Sequence, residues 1–430
     1  MRIAVTVPAP IGHLNAMTAL ARRLEGRGHQ VICIGNPDAA RGVAAAGLHF
    51  EEYGGRQFPL GSYAERAEIL SRLTADAGVA YTFQWISDGC RAELVEAPPV
   101  LQRLALDGVV VDQVNPGVSA VARGMGVPFV NVSCTPLTDL TGVTPLWLFP
   151  WPHEDSEEAR ERNRMGVAGF LKVLGSIQAM TVEYLERQGI HPDTSDVYWR
   201  VSKLAYLSQI PAALDFPGDH YPAHFHRTGP FHDGAGREAV AFPWERLTGA
   251  PLIYASMGTL QNGRADTFRA ILAATERPGY QVVLSVGMNT APETLALARP
   301  DTIVVQRAPQ LELLKLATLC LTHAGMNTTL EALTQGVPLV AIPITNDQPG
   351  VAARIQASGT GLFLPLAQLN AEALRGLVDE VLGTPSYRER ALAMKAAITE
   401  LDGLGMAAEL IEKAFAADDQ VTGVGRQNAS

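Results

Sequence analysis

Short apolar runs of strand length, each followed by an amphipathic helical stretch, constrain this chain more than any other feature. Arg2–Val7 is such a run. His13–Arg27 then carries Leu14, Met17, Ala21 and Leu24 on one helical face, and Gly28 stands where a helix would close. Val31–Ile34 predicts a second strand, Asp38–Ala46 a second helix and Leu48–Glu52 a third strand. Strands that are apolar along their whole length need cover on both faces, and the helices between them supply it. The pattern therefore predicts right-handed crossovers and a parallel sheet. From Ser62 to Leu106 the spacing is helical; Gly108–Val111 and Val127–Val132 are further strands around a helix at Gly117–Gly124. Thr135–His153 is proline-rich, holds Trp147 and Trp151 and lacks a helical period, which predicts a long loop. Glu154–Arg164 reads as a solvated charged segment and Met165–Gly189 as amphipathic helix, before strands at Leu204–Ser208 and Phe225–Arg227.

The alternation stops at Pro230–Pro243, which holds Gly234, Gly236 and few core-forming residues, and then restarts. Strands are predicted at Leu252–Met257, Gln281–Gly287, Thr302–Gln306, Leu319–Thr322, Leu339–Ile342 and Gly361–Leu364. At about 150 residues per domain, 430 residues make two to three domains. The expected division is residues 1–232, a linker at 233–242, a second unit at 243–385, C-terminal helices at 386–417 and a disordered tail at 418–430. The fold class is α/β, with two Rossmann-like domains facing each other across a cleft.

Hydrophobic residues make up 47% and charged residues 18%, a globular balance that excludes wholesale disorder. Acids outnumber bases 44 to 34, so the surface repels polyphosphate backbones and argues against nucleic-acid partners. Cys33, Cys90, Cys134 and Cys320 are widely spaced, which favours reduced thiols and a cytoplasmic location over disulfides or a zinc site. The opening apolar run is too short for a signal segment, and no apolar run reaches the roughly 18 residues of a membrane span. Gly166–Met180 is open to two readings, a core-facing helix or a peripheral contact with a lipid surface.

Ligands of open α/β sheets gather at the carboxyl ends of strands, so the residues just after each strand carry the chemistry. Gly12 offers a sharp turn after the first strand, and His13 follows it, as either a general base or a helix cap. Asp112 ends a strand, as either the carboxylate that orients such a base or a turn former. His323–Glu331 is the densest cluster. His323, Gly325, Asn327, Thr328 and Glu331 crowd the start of a helix, whose free amides suit a diphosphate, while Glu331 suits a vicinal diol. Ser256–Thr259, Arg307-Ala308-Pro309-Gln310 and Asn346-Asp347-Gln348 also follow strands, and each alone is equally an ordinary turn or cap. The sequence has no D-x-D, no clustered metal ligands, no P-loop and no dinucleotide fingerprint, so neither a metal nor a nicotinamide cofactor is expected.

Taken in order, Gly12-His13, Asp112, Ser256–Thr259, Ala308–Gln310, His323–Glu331 and Asn346–Gln348 resemble the family 1 nucleotide-sugar-dependent glycosyltransferases of GT-B fold. Asp112–Gly117, Val127–Val130 and Trp147–Pro152 look most like the bacterial zeaxanthin-glucosyltransferase-like and macrolide-glycosyltransferase-like branch. The resemblance implies inverting transfer of a hexose, glucose above all, from a UDP-sugar to a hydroxyl of a hydrophobic small molecule. His13 would be the base and Asp112 its partner. Thr259, His323, Gly325, Asn327 and Thr328 would hold the diphosphate, Glu331 the ribose, Arg307, Ala308 and Gln310 the base and ribose, and Asn346, Asp347 and Gln348 the sugar. The resemblance also implies that the C-terminal helices cross back onto the first domain. Three departures stand out: Arg307 replaces a stacking Trp of plant members, Ala16 a frequent Pro and Thr328 the usual Ser. Asn15, Phe83, Trp85, Trp147 and Phe149, with Trp151, are candidates for the acceptor pocket, although aromatics are equally plain core. Two other readings are a hydrolysing nucleotide-sugar epimerase of the same architecture and a nucleotide-sugar-binding protein without catalysis.

Overall fold

The computed structural model describes residues 1–218, 220–297 and 299–422. Its strands fall into two all-parallel sheets. The first joins Arg2–Thr6 (β1), Gln30–Gly35 (β2), His49–Glu52 (β3), Gly108–Asp112 (β4), Phe129–Ser133 (β5), Tyr206–Ser208 (β6) and Phe225–Arg227 (β7) in the order β3-β2-β1-β4-β5-β6-β7. The second joins Leu252–Ser256 (β8), Gln281–Ser285 (β9), Ile303–Val305 (β10), Ala317–Thr322 (β11), Leu339–Ala341 (β12) and Gly361–Phe363 (β13) in the order β10-β9-β8-β11-β12-β13. Strand order reverses between β1 and β4 and again between β8 and β11. Those two switch points are where open sheets leave a crevice.

Helices Ile11–Gly26 (α1), Ala40–Ala45 (α2), Ser62–Arg72 (α3), Ala75–Leu104 (α4), Pro116–Gly124 (α5), Glu157–Val173 (α6) and Gly175–Arg187 (α7) go with the first sheet. Ala265–Thr275 (α8), Gln310–Leu314 (α9), Met326–Thr334 (α10), Gln348–Ala357 (α11), Ala371–Gly383 (α12) and Pro385–Thr399 (α13) go with the second, and Gly403–Thr422 (α14) ends the described chain. Met17, Leu20, Ala21 and Leu24 of α1 are fully buried against β1 and β2, the helical spacing at work.

Several expectations change. The turn after β1 is made by Pro8–Pro10, and Gly12 lies inside α1. The charged segment at 154–164 is largely the front of α6, capped by Ser156, whose hydroxyl accepts from the Ala159 amide. Ile210 and Leu214, expected in the first domain, pack in the core of the second. Of the C-terminal helices, α13 stays on the second domain, where Ala391, Met394 and Ile398 join its core. Only α14 crosses over, burying Ala407, Ala408, Ile411 and Phe415 against α1 and the first sheet. Gly403 permits the crossing, since a Cβ there would lie 2.7 Å from the Gly229 carbonyl carbon. Residues 418–422, expected in the tail, continue α14, and the rest of the tail (423–430) lies outside the described residues.

All four cysteines are free and buried. Among the described residues, no single helix is long and apolar enough to cross a membrane. α6 and α7 pass that test together but meet at 59°, and Val167, Phe170, Leu174 and Ile177 from this pair sit in an apolar cluster.

Candidate active site

The carboxyl ends of the two sheets face one cavity of about 1140 Å³. That exceeds the roughly 300–1,000 Å³ of a site for one small ligand, so two substrates fit side by side.

His13, in the first turn of α1, comes from β1; Asp112 is the last residue of the adjacent β4. Their side chains meet, Nδ1 to Oδ2, at 2.8 Å. Asp112 is fully buried, and its carboxylate is well supported. Oδ1 accepts from the Val114 amide at 3.0 Å, and Oδ2 also accepts from the Cys134 thiol at 3.4 Å. Burial lowers the His13 pKa, but the charge and hydrogen bond of Asp112 raise it more, so the net shift is upward. The arrangement leaves Nε2 for a substrate hydroxyl, the geometry of a base held in one tautomer by a carboxylate. Cys134 turns this pair into a cluster that sequence spacing did not disclose: the ligand atoms of His13, Asp112 and Cys134 lie within 4.8 Å of one another. Burial and the nearby Asp112 raise the pKa of that thiol, which suits its role as hydrogen-bond donor to Asp112.

Across the cavity, β11 delivers His323, Ala324 in a left-handed conformation (φ 64°) and Gly325 to the start of α10. No side chain caps this helix, so the first amides stay free. The His323 ring lies between Gly258 and Gly325, where a Cβ would stand 2.5 and 2.4 Å away. Burial pushes its pKa down to about 4, so it is a neutral donor. Asn327 does not face the cavity alone: its Nδ2 donates to the Gly12 carbonyl at 2.7 Å, and its Oδ1 accepts from Gln209 at 2.7 Å. Glu331 is buried; Gln310 Nε2 reaches one carboxylate oxygen at 2.6 Å and Arg237 the other at 2.6 Å. Gln310 also accepts from the Tyr254 hydroxyl at 3.0 Å.

Asn346 is left-handed at φ 57° and sends Asp347 to the start of α11. Asp347 does not cap that helix with its side chain, and burial pushes its pKa up to about 6, with His13 drawing it down. Gln348 is engaged by its own surroundings: Oε1 accepts from the Ile344 amide at 2.8 Å, and Nε2 donates to Gln261 at 2.6 Å.

All the donor-side candidates line the cavity, including Thr259, Arg307 and Ala308, as do Asn15, Phe83, Trp85 and Trp147. Phe149 does not; it stacks on Trp151 at 3.9 Å and packs against Gly166 of α6. The linker was expected at 233–242, but not as part of the site. Arg237 holds Glu331, and Glu238 bridges Arg307 of the second domain (3.1 Å) and Arg41 of the first (2.8 Å). Two opposite charges within a glycine-rich stretch were the available signal. Gln209 directly follows β6, so its signal was the post-strand position itself.

Two facing Rossmann-like sheets, with the His13–Asp112 pair on one side of the cleft and an uncapped helix N-terminus on the other, have the GT-B architecture. The model of the family described as "UDP-glucoronosyl and UDP-glucosyl transferase" matches residues 247–399. Zeaxanthin glucosyltransferase of Pantoea ananas is 31% identical over 418 residues, 95% of each chain, and that of Pseudescherichia vulneris 28% over 422 residues, 97% of this chain and 99% of the other. The solved glycotransferase of kitacinnamycin shares the fold with a TM-score of 0.73 at 23% identity, covering 96% of this chain and 98% of that one. The chain belongs to the UDP-glucuronosyl and UDP-glucosyl transferase family.

Proposed function

We propose that the protein moves a hexose, glucose first among them, from a UDP-sugar to a hydroxyl of a hydrophobic small molecule with inversion at the anomeric carbon. The carrying observation is the His13–Asp112 pair facing the uncapped N-terminus of α10 across one cavity. His13 Nε2 takes the acceptor proton, the acceptor oxygen bonds to the anomeric carbon, and the bond from that carbon to the diphosphate breaks on the opposite face. Asp112 stabilises the imidazolium. The amides of α10, His323, Thr328 and Thr259 take the charge on the departing UDP, a role for which helix N-termini are suited without a metal. Glu331 accepts from the ribose hydroxyls, with Gln310 beside it; Arg307 stacks on the base. Asp347 holds the sugar, joined by Gln348 once it exchanges Gln261 for a sugar hydroxyl. The names of the two relatives support glucose as the sugar and a hydrophobic acceptor. The four free thiols fit a cytoplasmic setting.

The test is to mix the protein with UDP-glucose, EDTA and a pool of phenolic, flavonoid, terpenoid and carotenoid acceptors, and to read products by mass. An acceptor that gains one hexose is the expected result. UDP released with no glycosylated product would overturn the reading.

A further inference from the structure

Among the described residues, Arg41, Arg200, Arg237 and Arg307 are the arginines that line the cavity. Three have carboxylates: Arg41 and Arg307 share Glu238, and Arg237 holds Glu331. Arg200 has none. Its Nε is buried and meets no hydrogen-bond partner. The titratable groups acting on it are the Cys90 thiol and the Tyr206 phenol, and burial keeps both protonated. The chain on either side is pinned, because Arg123 donates to the carbonyls of Trp199 (2.6 Å) and Val201 (3.3 Å). The guanidinium is thus held on the first-domain side of the cavity, beside Tyr198 and Tyr206, with Phe83, Trp147 and Phe170 forming apolar wall. A charge placed among neutral groups is unfavourable until an anion joins it.

We propose that Arg200 is the anion-recognising residue of the acceptor pocket, and that the acceptor is a hydroxylated hydrophobic carboxylic acid. Its carboxylate pairs with Arg200, its apolar body lies on the aromatic wall, and its hydroxyl is presented to His13. A planar carboxylate matches the guanidinium fork, and it is worth more in a low-dielectric pocket than in water. The inference rests on the transferase reading above and narrows its acceptor class.

The experiment compares para-hydroxycinnamate and a long-chain ω-hydroxy acid with their methyl esters, each with UDP-glucose, for the wild type, Arg200→Met and Arg200→Lys. Wild type is expected to favour at least one acid over its ester by about tenfold or more in kcat/KM. Arg200→Met brings that acid down to the level of its ester and leaves the ester rate nearly unchanged, which also shows that the variant folds. Arg200→Lys retains part of the preference. An acid and ester that fall together in Arg200→Met, or esters preferred by wild type, would overturn the inference. If neutral acceptors of the wider pool receive hexose while no acid does, the inference fails alone. If nothing receives hexose, the transferase reading fails with it.

Discussion

His13 lies under opposing influences. The N-terminus of α1 and burial both disfavour an imidazolium, while the Asp112 carboxylate at 2.8 Å favours it and prevails. The sign for catalysis follows. The base must be neutral to accept a proton, so transfer falls as pH drops through a His13 pKa raised above the ordinary 6.5. Asp112→Asn removes the larger of the two carboxylate charges that oppose burial, leaving only Asp347. The acid limb of the pH–rate profile should therefore move to lower pH, with kcat reduced by about 10²–10⁴-fold. A profile whose acid limb stays in place would disconnect Asp112 from the base. The pairing itself was legible, because His13 opens the helix after β1 and Asp112 ends the adjacent β4 at a switch point. Cys134 and Gln209 also follow strands, β5 and β6, but a buried thiol and a lone amide name no chemistry until the fold sets them against Asp112 and Asn327.

Single elements divide between those written in local sequence and those decided by packing. The thirteen strands are nearly all where apolar runs predict them, because a strand buried on both faces has no polar alternation to blur it. The destination of α13 was not legible: its sequence has little amphipathic bias to name the surface it meets, and a short connection to α14 decides the crossing. The linker is similar, since composition marks it as irregular and only the fold shows Arg237 against Glu331. Helix α11 carries a further consequence. Arg354 is buried, bonds Asp215 at 2.7 Å and the Gly350 carbonyl at 3.0 Å, and lies over Phe216 at 4.2 Å. It thereby ties the segment after β6 into the second domain. Arg354→Ala leaves Asp215 buried without its closest cation and should cost about 3–5 kcal/mol in urea unfolding. A loss below about 1 kcal/mol, the scale of an exposed pair, would show that the contact is not sustained.

For the whole molecule, the cleft is held together by contacts from both sides. Asn327 reaches Gly12, Thr345 bonds the Ala75 carbonyl at 2.9 Å, and the Gly350 amide bonds the Trp147 carbonyl at 2.9 Å. In the proposed function, His13 and the α10 amides work from opposite walls of this cleft, and the acceptor oxygen approaches the anomeric carbon from the face opposite the leaving group. The product of UDP-α-glucose should accordingly be a β-glucoside, read from the anomeric proton coupling by NMR; an α-glucoside would contradict the opposed geometry. The most direct measurement is the transfer rate of His13→Ala at saturating UDP-glucose, with UDP affinity measured on the same protein. A fall of about 10³-fold in kcat with UDP affinity held within about threefold is expected. Transfer near the wild-type rate would contradict the assignment of the base and, with it, the mechanism.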